Sequence, residues 1–179
     1  MATVSGDFEL TMDELRVVAR YVAESAQDVL PAFEEAVPGD PRPRTALDAA
    51  WEFANGAKRT NLQRTASLDA HRAAKEAGTE VARLAARSAG DAASAAYLHP
   101  LSRATQVGHI LRAAASAARI GELNANGDPA VGIMLVEQAR RRATPELISV
   151  LSRYPLAPTA RNRVAQLMST LDAALRASI

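Results

Sequence analysis

Apolar residues recur at helical spacing along most of the chain. Leu15, Val18, Val22, Val29 and Phe33 form the first stripe, with Ala26 between them. Thr11-Met12-Asp13-Glu14 ahead of that stripe reads as a capping box, with Thr11 as N-cap and Glu14 reaching back. Pro31 is expected to kink or restart this helix, because it removes a backbone donor. The string Pro38-Gly39-Asp40-Pro41-Arg42-Pro43 is a clear break, and Pro43 suits the first position of a second helix. Leu47, Ala50, Trp51 and Ala54 mark that helix's buried side, and Asn55-Gly56 ends or bends it. A third helix is predicted from about Leu62 to Glu76, and a fourth, very alanine-rich, from Glu80 to about Tyr97. Leu98-His99-Pro100 closes the fourth.

A fifth helix starts near Ser102, with Val107, Ile110, Leu111, Ala114 and Ala118 as its stripe. After the loop Asn124-Ala125-Asn126-Gly127-Asp128-Pro129, a sixth carries Val131, Met134, Leu135 and Ala139. Thr144-Pro145-Glu146 reads as a fresh N-cap with proline at the first helical position. Pro158 and Thr159 open a last helix with Val164, Leu167, Met168, Leu171 and Leu175 on one face. No run alternates as a strand does, and no fixed-period repeat occurs. The pattern therefore predicts one all-α domain over residues 1–179: an antiparallel bundle of six to eight helices, without a sheet, preceded by a loose segment over residues 1–10.

Composition sharpens this picture. The chain is 48% hydrophobic, but much of that fraction is alanine, which packs thinly and favours helix most strongly. Aromatics are only 4%, so stacking surfaces for bases are scarce, and 21 basic against 20 acidic residues leave a net charge of +1. That balance gives no electrostatic reason to expect nucleic acid or an anionic membrane as a partner. The absence of cysteine excludes disulfides, thiolate nucleophiles and cysteine-ligated zinc. No window is apolar enough to predict a membrane span, and Asp7 and Glu9 interrupt any signal-like core, so a cytoplasmic location is expected.

Candidate chemistry is thin. His71, His99 and His109 could hold a divalent metal only if three segments converged, since no pair is spaced to share a helix face. No metal and no cofactor is expected. Asp69 and His71 point apart on their helix, whereas Asp69 with Arg72 and His71 with Lys75 are spaced as ordinary surface pairs. Asp40, Arg42, Arg44 and Asp48 surround a helix start whose free backbone donors suit an anion. The plainer reading is a rigid loop with Arg44 paired to Asp48 at i, i+4. Trp51 reads as core, with a pocket wall or interface anchor as its functional alternative, and Gln106 and His109 share a face near Tyr97. Arg140-Arg141-Arg142 suits a solvated helix C-terminus. No Gly-x-Ser-x-Gly, phosphate loop or His-Glu-x-x-His string occurs, and no catalytic residue is assigned.

Five strings in order carry a resemblance. They are Asp40-Pro-Arg-Pro-Arg, Ala49-Ala-Trp-Glu-Phe-Ala-Asn-Gly56, Leu68-Asp-Ala-His-Arg-Ala-Ala74, Ala96-Tyr-Leu-His-Pro100 and Thr105-Gln-Val-Gly-His109. Together they resemble the immunity-5-like putative immunity proteins of bacterial polymorphic toxin systems, from about residue 11 to residue 176. The resemblance implies an all-α, non-catalytic protein that binds and neutralises a cognate toxin. The alternative is a small-molecule-binding bundle, or an enzyme of bacterial specialised metabolism, with or without a metal. Its pocket would draw on His71, Tyr97, His99, Gln106 and His109, with Asp40, Arg42, Arg44, Asp48 and Trp51 alongside if the second and fifth helices pack together. The expected partner is thus a toxin-like protein or a small molecule, and alanine-rich helices leave a homodimer open.

Overall fold

The computed structural model describes residues 2–179 and contains eight α-helices. They are α1 Met12–Ala36, α2 Arg42–Ala54, α3 Asn61–Glu76, α4 Glu80–Ser94, α5 Val107–Asn124, α6 Pro129–Arg142, α7 Pro145–Ser152 and α8 Arg163–Arg176. Short 3-10 turns at Ala95–Tyr97 and Ala104–Gln106 flank the connection between α4 and α5. No helix is long and apolar enough to cross a membrane, among the described residues.

Local chemistry accounts for most helix ends. The Thr11 hydroxyl accepts from the Glu14 N–H at 3.1 Å, and the Glu14 carboxylate accepts from the Thr11 N–H at 2.9 Å. These two bonds satisfy donors that the first turn leaves free. Thr60 and Gln63 repeat the device on α3. Thr79, Asp128, Thr144 and Asn162 each cap the helix that follows with a side-chain oxygen. Gly56 follows the end of α2 at φ +107°, a left-handed conformation that favours glycine.

Three sequence expectations are revised. Pro31 neither ends nor restarts α1, which is continuous through it. Pro31 and Gln27 both lie on the exposed face, where water can take the carbonyl that the proline leaves unbonded. The last helix opens at Arg163 behind Asn162, later than Pro158 suggests. The N-terminal segment is also ordered as a small antiparallel hairpin: β1 Thr3–Ser5 pairs with β2 Glu9–Thr11, Val4 opposite Leu10. Leu10 is fully buried, the Asp7 N–H donates to the Pro100 carbonyl at 2.9 Å, and the Asp7 carboxylate accepts from the Ser102 N–H at 2.7 Å. Strands of three residues are too short to show an alternation, so the pattern missed them.

The helices pack around α4. It makes its most extensive contacts with α1 and α3, and it also touches α2 and α5. Its buried face is almost all alanine: Ala82, Ala85, Ala86, Ala89, Ala92 and Ala93 are at most 1% exposed. Such short side chains let several helices approach one axis, while Leu15, Val18, Phe33, Phe53, Ile110 and Leu111 fill the space between them. Helices α6 and α8 then build on α5, and α7 sits against α1.

Replacing Ala89 by Leu adds three heavy atoms at a fully buried position where helices meet. The variant A89L is expected to lose about 1–3 kcal/mol of unfolding free energy, read from the urea midpoint at unchanged m-value.

Candidate functional site

The centre of the site is a carboxylate in an alanine face. Asp91 on α4 is 1% exposed, among the buried Ala89, Ala92 and Ala93. Arg112 reaches it from α5, with Nε 2.8 Å from Oδ2 and Nη2 2.5 Å from Oδ1. This two-point pairing is the geometry that guanidinium and carboxylate favour. Burial alone would lower the Arg112 pKa, but the hydrogen bonds and charge of Asp91 outweigh it and the net shift is upward.

His71 comes from α3, with Nε2 3.6 Å from the Asp91 Oδ1. Its ring lies against Gly90, where a Cβ would stand only 2.9–3.0 Å from three ring atoms. Glycine at 90 therefore leaves the room that the imidazole uses. The Gly90 carbonyl accepts from the Ser67 hydroxyl at 2.8 Å, which pins α3 to α4 at this level. Burial pushes the His71 and His109 pKa values down; the Asp91 charge works against this, and that of Arg112 works with it.

Outside the buried pair, the three helices leave an open groove of about 470 Å³ lined by His71, Ala74, Lys75, Arg83, Arg87 and Arg112. Lys75 lies one turn beyond His71 on α3, and Arg87 one turn beyond Arg83 on α4, so two i, i+4 pairs border one space. The groove adjoins a second, of about 400 Å³, that shares Arg83, Arg87 and Arg112 and extends to Leu84, Val164 and Met168. Partial burial, and then the charge of Arg112, hold the Arg87 pKa below its ordinary value.

The residues singled out in the sequence fall into several places. Among the three histidines, the charge of His109 bears on His71 and that of His99 bears on His109. No three His, Asp or Glu side chains among the described residues are arranged to hold a metal ion. His99 is exposed, and its carbonyl accepts the Tyr154 hydroxyl at 2.9 Å. Gln106 is partly buried, and its Oε1 has no hydrogen-bond partner. Tyr97 points elsewhere: Arg59 and Arg64 stand over its ring at 4.5 and 4.0 Å, and its hydroxyl donates to the Thr60 carbonyl at 2.8 Å.

The proline-bordered start of α2 is a separate locus. Arg42 is bound to Asp40 and, through Nη2 at 2.5 Å, to Glu76. Arg44 pairs with Glu34 of α1, in place of the expected Asp48, which is exposed. Trp51 is only half-buried, with Arg20 over its ring at 5.4 Å and its indole N–H unpartnered. Helix α2 lies against α1, α3 and α4, and α5 is not among its main neighbours, so this locus does not join the histidines. His71 likewise turns to Asp91 and not to Lys75, while Asp69 and Arg72 do pair at 3.0 Å.

Sequence reasoning missed Asp91, Arg112, Arg83 and Arg87. Two signals were present: one carboxylate in an otherwise alanine face, and two arginines four apart on the same helix.

The model of the family described as Imm-5 like putative immunity protein matches residues 9–124. The chain belongs to this family. No curated protein and no solved structure matches it. The matched stretch runs from β2 to the end of α5 and contains Asp91, Arg112 and every residue lining the basic groove. Helices α6 to α8 lie beyond it, so the match is shorter than the residue-level resemblance suggests.

Two outcomes follow from the buried pair and its imidazoles. D91N removes the charge that Arg112 faces, and unfolding free energy should fall by about 3 kcal/mol, near the lower end for a broken buried pair because Arg112 retains some solvent contact. Both histidines have folded pKa values below the ordinary 6.5. Their neutral forms cost nothing above that pH. Below it the unfolded chain takes up protons that the native state refuses, so stability drops as pH falls. Denaturant titrations between about pH 7 and pH 5 should show that slope, with H71Q/H109Q markedly flatter; equal slopes would exclude the two imidazoles as its source.

Proposed function

We propose that this protein binds a cognate toxin and neutralises it without catalysing a reaction. The observation that carries the reading is membership of the immunity-5-like family over residues 9–124. The fold is consistent with the role. A binder that arrives already ordered loses little conformational entropy on association. Here the core is close-packed on alanine, and ion pairs tie distant segments together: Glu14 to Arg153, Glu122 to Arg163 and Arg142 to Asp28.

The test takes any toxin-like gene found beside the coding sequence in its source genome. Its product, expressed alone in a bacterial host, should arrest growth, and co-expression of this protein should restore it. The two purified proteins should also form a complex with submicromolar Kd by calorimetry. Growth arrest that co-expression leaves untouched, with no complex at micromolar concentrations, would overturn the reading.

A further inference from the structure

The cations of this protein are unevenly used. Most arginines are engaged with a carboxylate, a carbonyl or an aromatic ring. Lys58, Lys75, Arg83, Arg87, Arg103 and Arg161 are the basic residues whose side chains meet no hydrogen bond, ion pair or ring, among the described residues. Three of these six, Lys75, Arg83 and Arg87, line the one groove between α3 and α4.

No carboxylate lines that groove. Asp91 lies buried behind it and is taken by Arg112. Glu80, on the rim of the adjoining groove, is taken by Arg119 at 3.1 Å. The groove thus gathers three cations, Lys75, Arg83 and Arg87, that no carboxylate of the fold pairs with directly. Like charges so placed repel, as Arg112 acts on Arg87 behind the larger effect of burial, and a bound anion would relieve the repulsion. Arg112 contributes a further guanidinium whose orientation is fixed by two hydrogen bonds to a buried partner. Guanidinium groups approaching from two helices suit a multivalent tetrahedral oxyanion, which can accept from several N–H forks at once.

We propose that the groove bounded by Lys75, Arg83, Arg87 and Arg112 binds a phosphate group, either as the free ion or as the phosphate of a small organic monoester. The adjoining groove, with Leu84, Val164 and Met168, lies on the side where the organic part of an ester would rest. His71 borders the same space. This property belongs to the isolated chain and does not depend on a toxin partner.

The experiment is calorimetric titration of the purified full-length protein at constant ionic strength with inorganic phosphate, pyrophosphate and a nucleoside monophosphate, with chloride as the reference. Saturable binding of at least one phosphate species is expected, weakening as salt is raised. The variant K75Q/R87Q should bind at least about tenfold more weakly, while R72Q, on α3 but paired with Asp69 away from the groove, should bind as the unaltered protein does. Lys75 and Arg87 have no partner in the fold, and the Arg72–Asp69 pair is exposed and adds little to stability, so both variants should melt close to the parent. Tighter binding of the monophosphate than of phosphate assigns the site to an ester, and equal binding assigns it to the free ion. Binding no tighter than that of chloride, or equal weakening in K75Q/R87Q and R72Q, overturns the proposal and leaves the groove as surface for an acidic protein.

Discussion

The packing of four helices around α4 is the constraint on which the rest of the structure depends. Helices approach this closely only where side chains are short, and the alanines of α4 with Gly90 supply that condition. Once the backbones are so near, a polar group on the buried face has no route to water and must find its partner inside. Asp91 is such a group, and Arg112 answers it from α5. The pairing fixes the rotation of α4 against α5, while the fit of His71 over Gly90 and the bond from Ser67 fix α3 against α4. One buried carboxylate thus sits at the meeting point of three helices, and the basic groove opens directly outside it.

A similar logic joins the C-terminal helices to the part that the family match covers. Glu122, at the end of that stretch, is almost fully buried and is held by Arg119 of its own helix and by Arg163 of α8. Gly132 of α6 lies so close that an added Cβ would collide with the Glu122 carboxylate. Arg153 crosses from the end of α7 to Glu14 and the Glu9 carbonyl. The later helices are therefore fastened to α1 and α5 by specific charge pairs in addition to apolar burial. Truncating the chain at the edge of the matched region would expose Glu122 without its strongest partner.

The site also separates two kinds of basic residue. Arg42, Arg112, Arg142, Arg153 and Arg163 act as ties between distant parts of the chain. Lys75, Arg83 and Arg87 tie nothing, although they occupy one surface. Charge balance over the whole chain conceals this local excess, because a net value near zero averages paired and unpaired groups alike.

The sequence by itself determined the helices, because their causes are local. Capping oxygens, prolines at first turns and apolar spacing act within a few residues, so Thr11 with Glu14, Thr144 with Pro145 and the stripe from Val107 to Ala118 were all legible. The resemblance carried by short strings was legible too, because those strings are contiguous. Only the tertiary structure decided the partnerships. Arg44 chose Glu34 over Asp48, His71 turned to Asp91 over Lys75, and α2 settled away from the main body of α5. Each depends on the rotation and order of packed helices, which the spacing along one helix does not encode. Asp91 and Arg112 are 21 residues apart and meet only because alanine lets α4 and α5 close on each other.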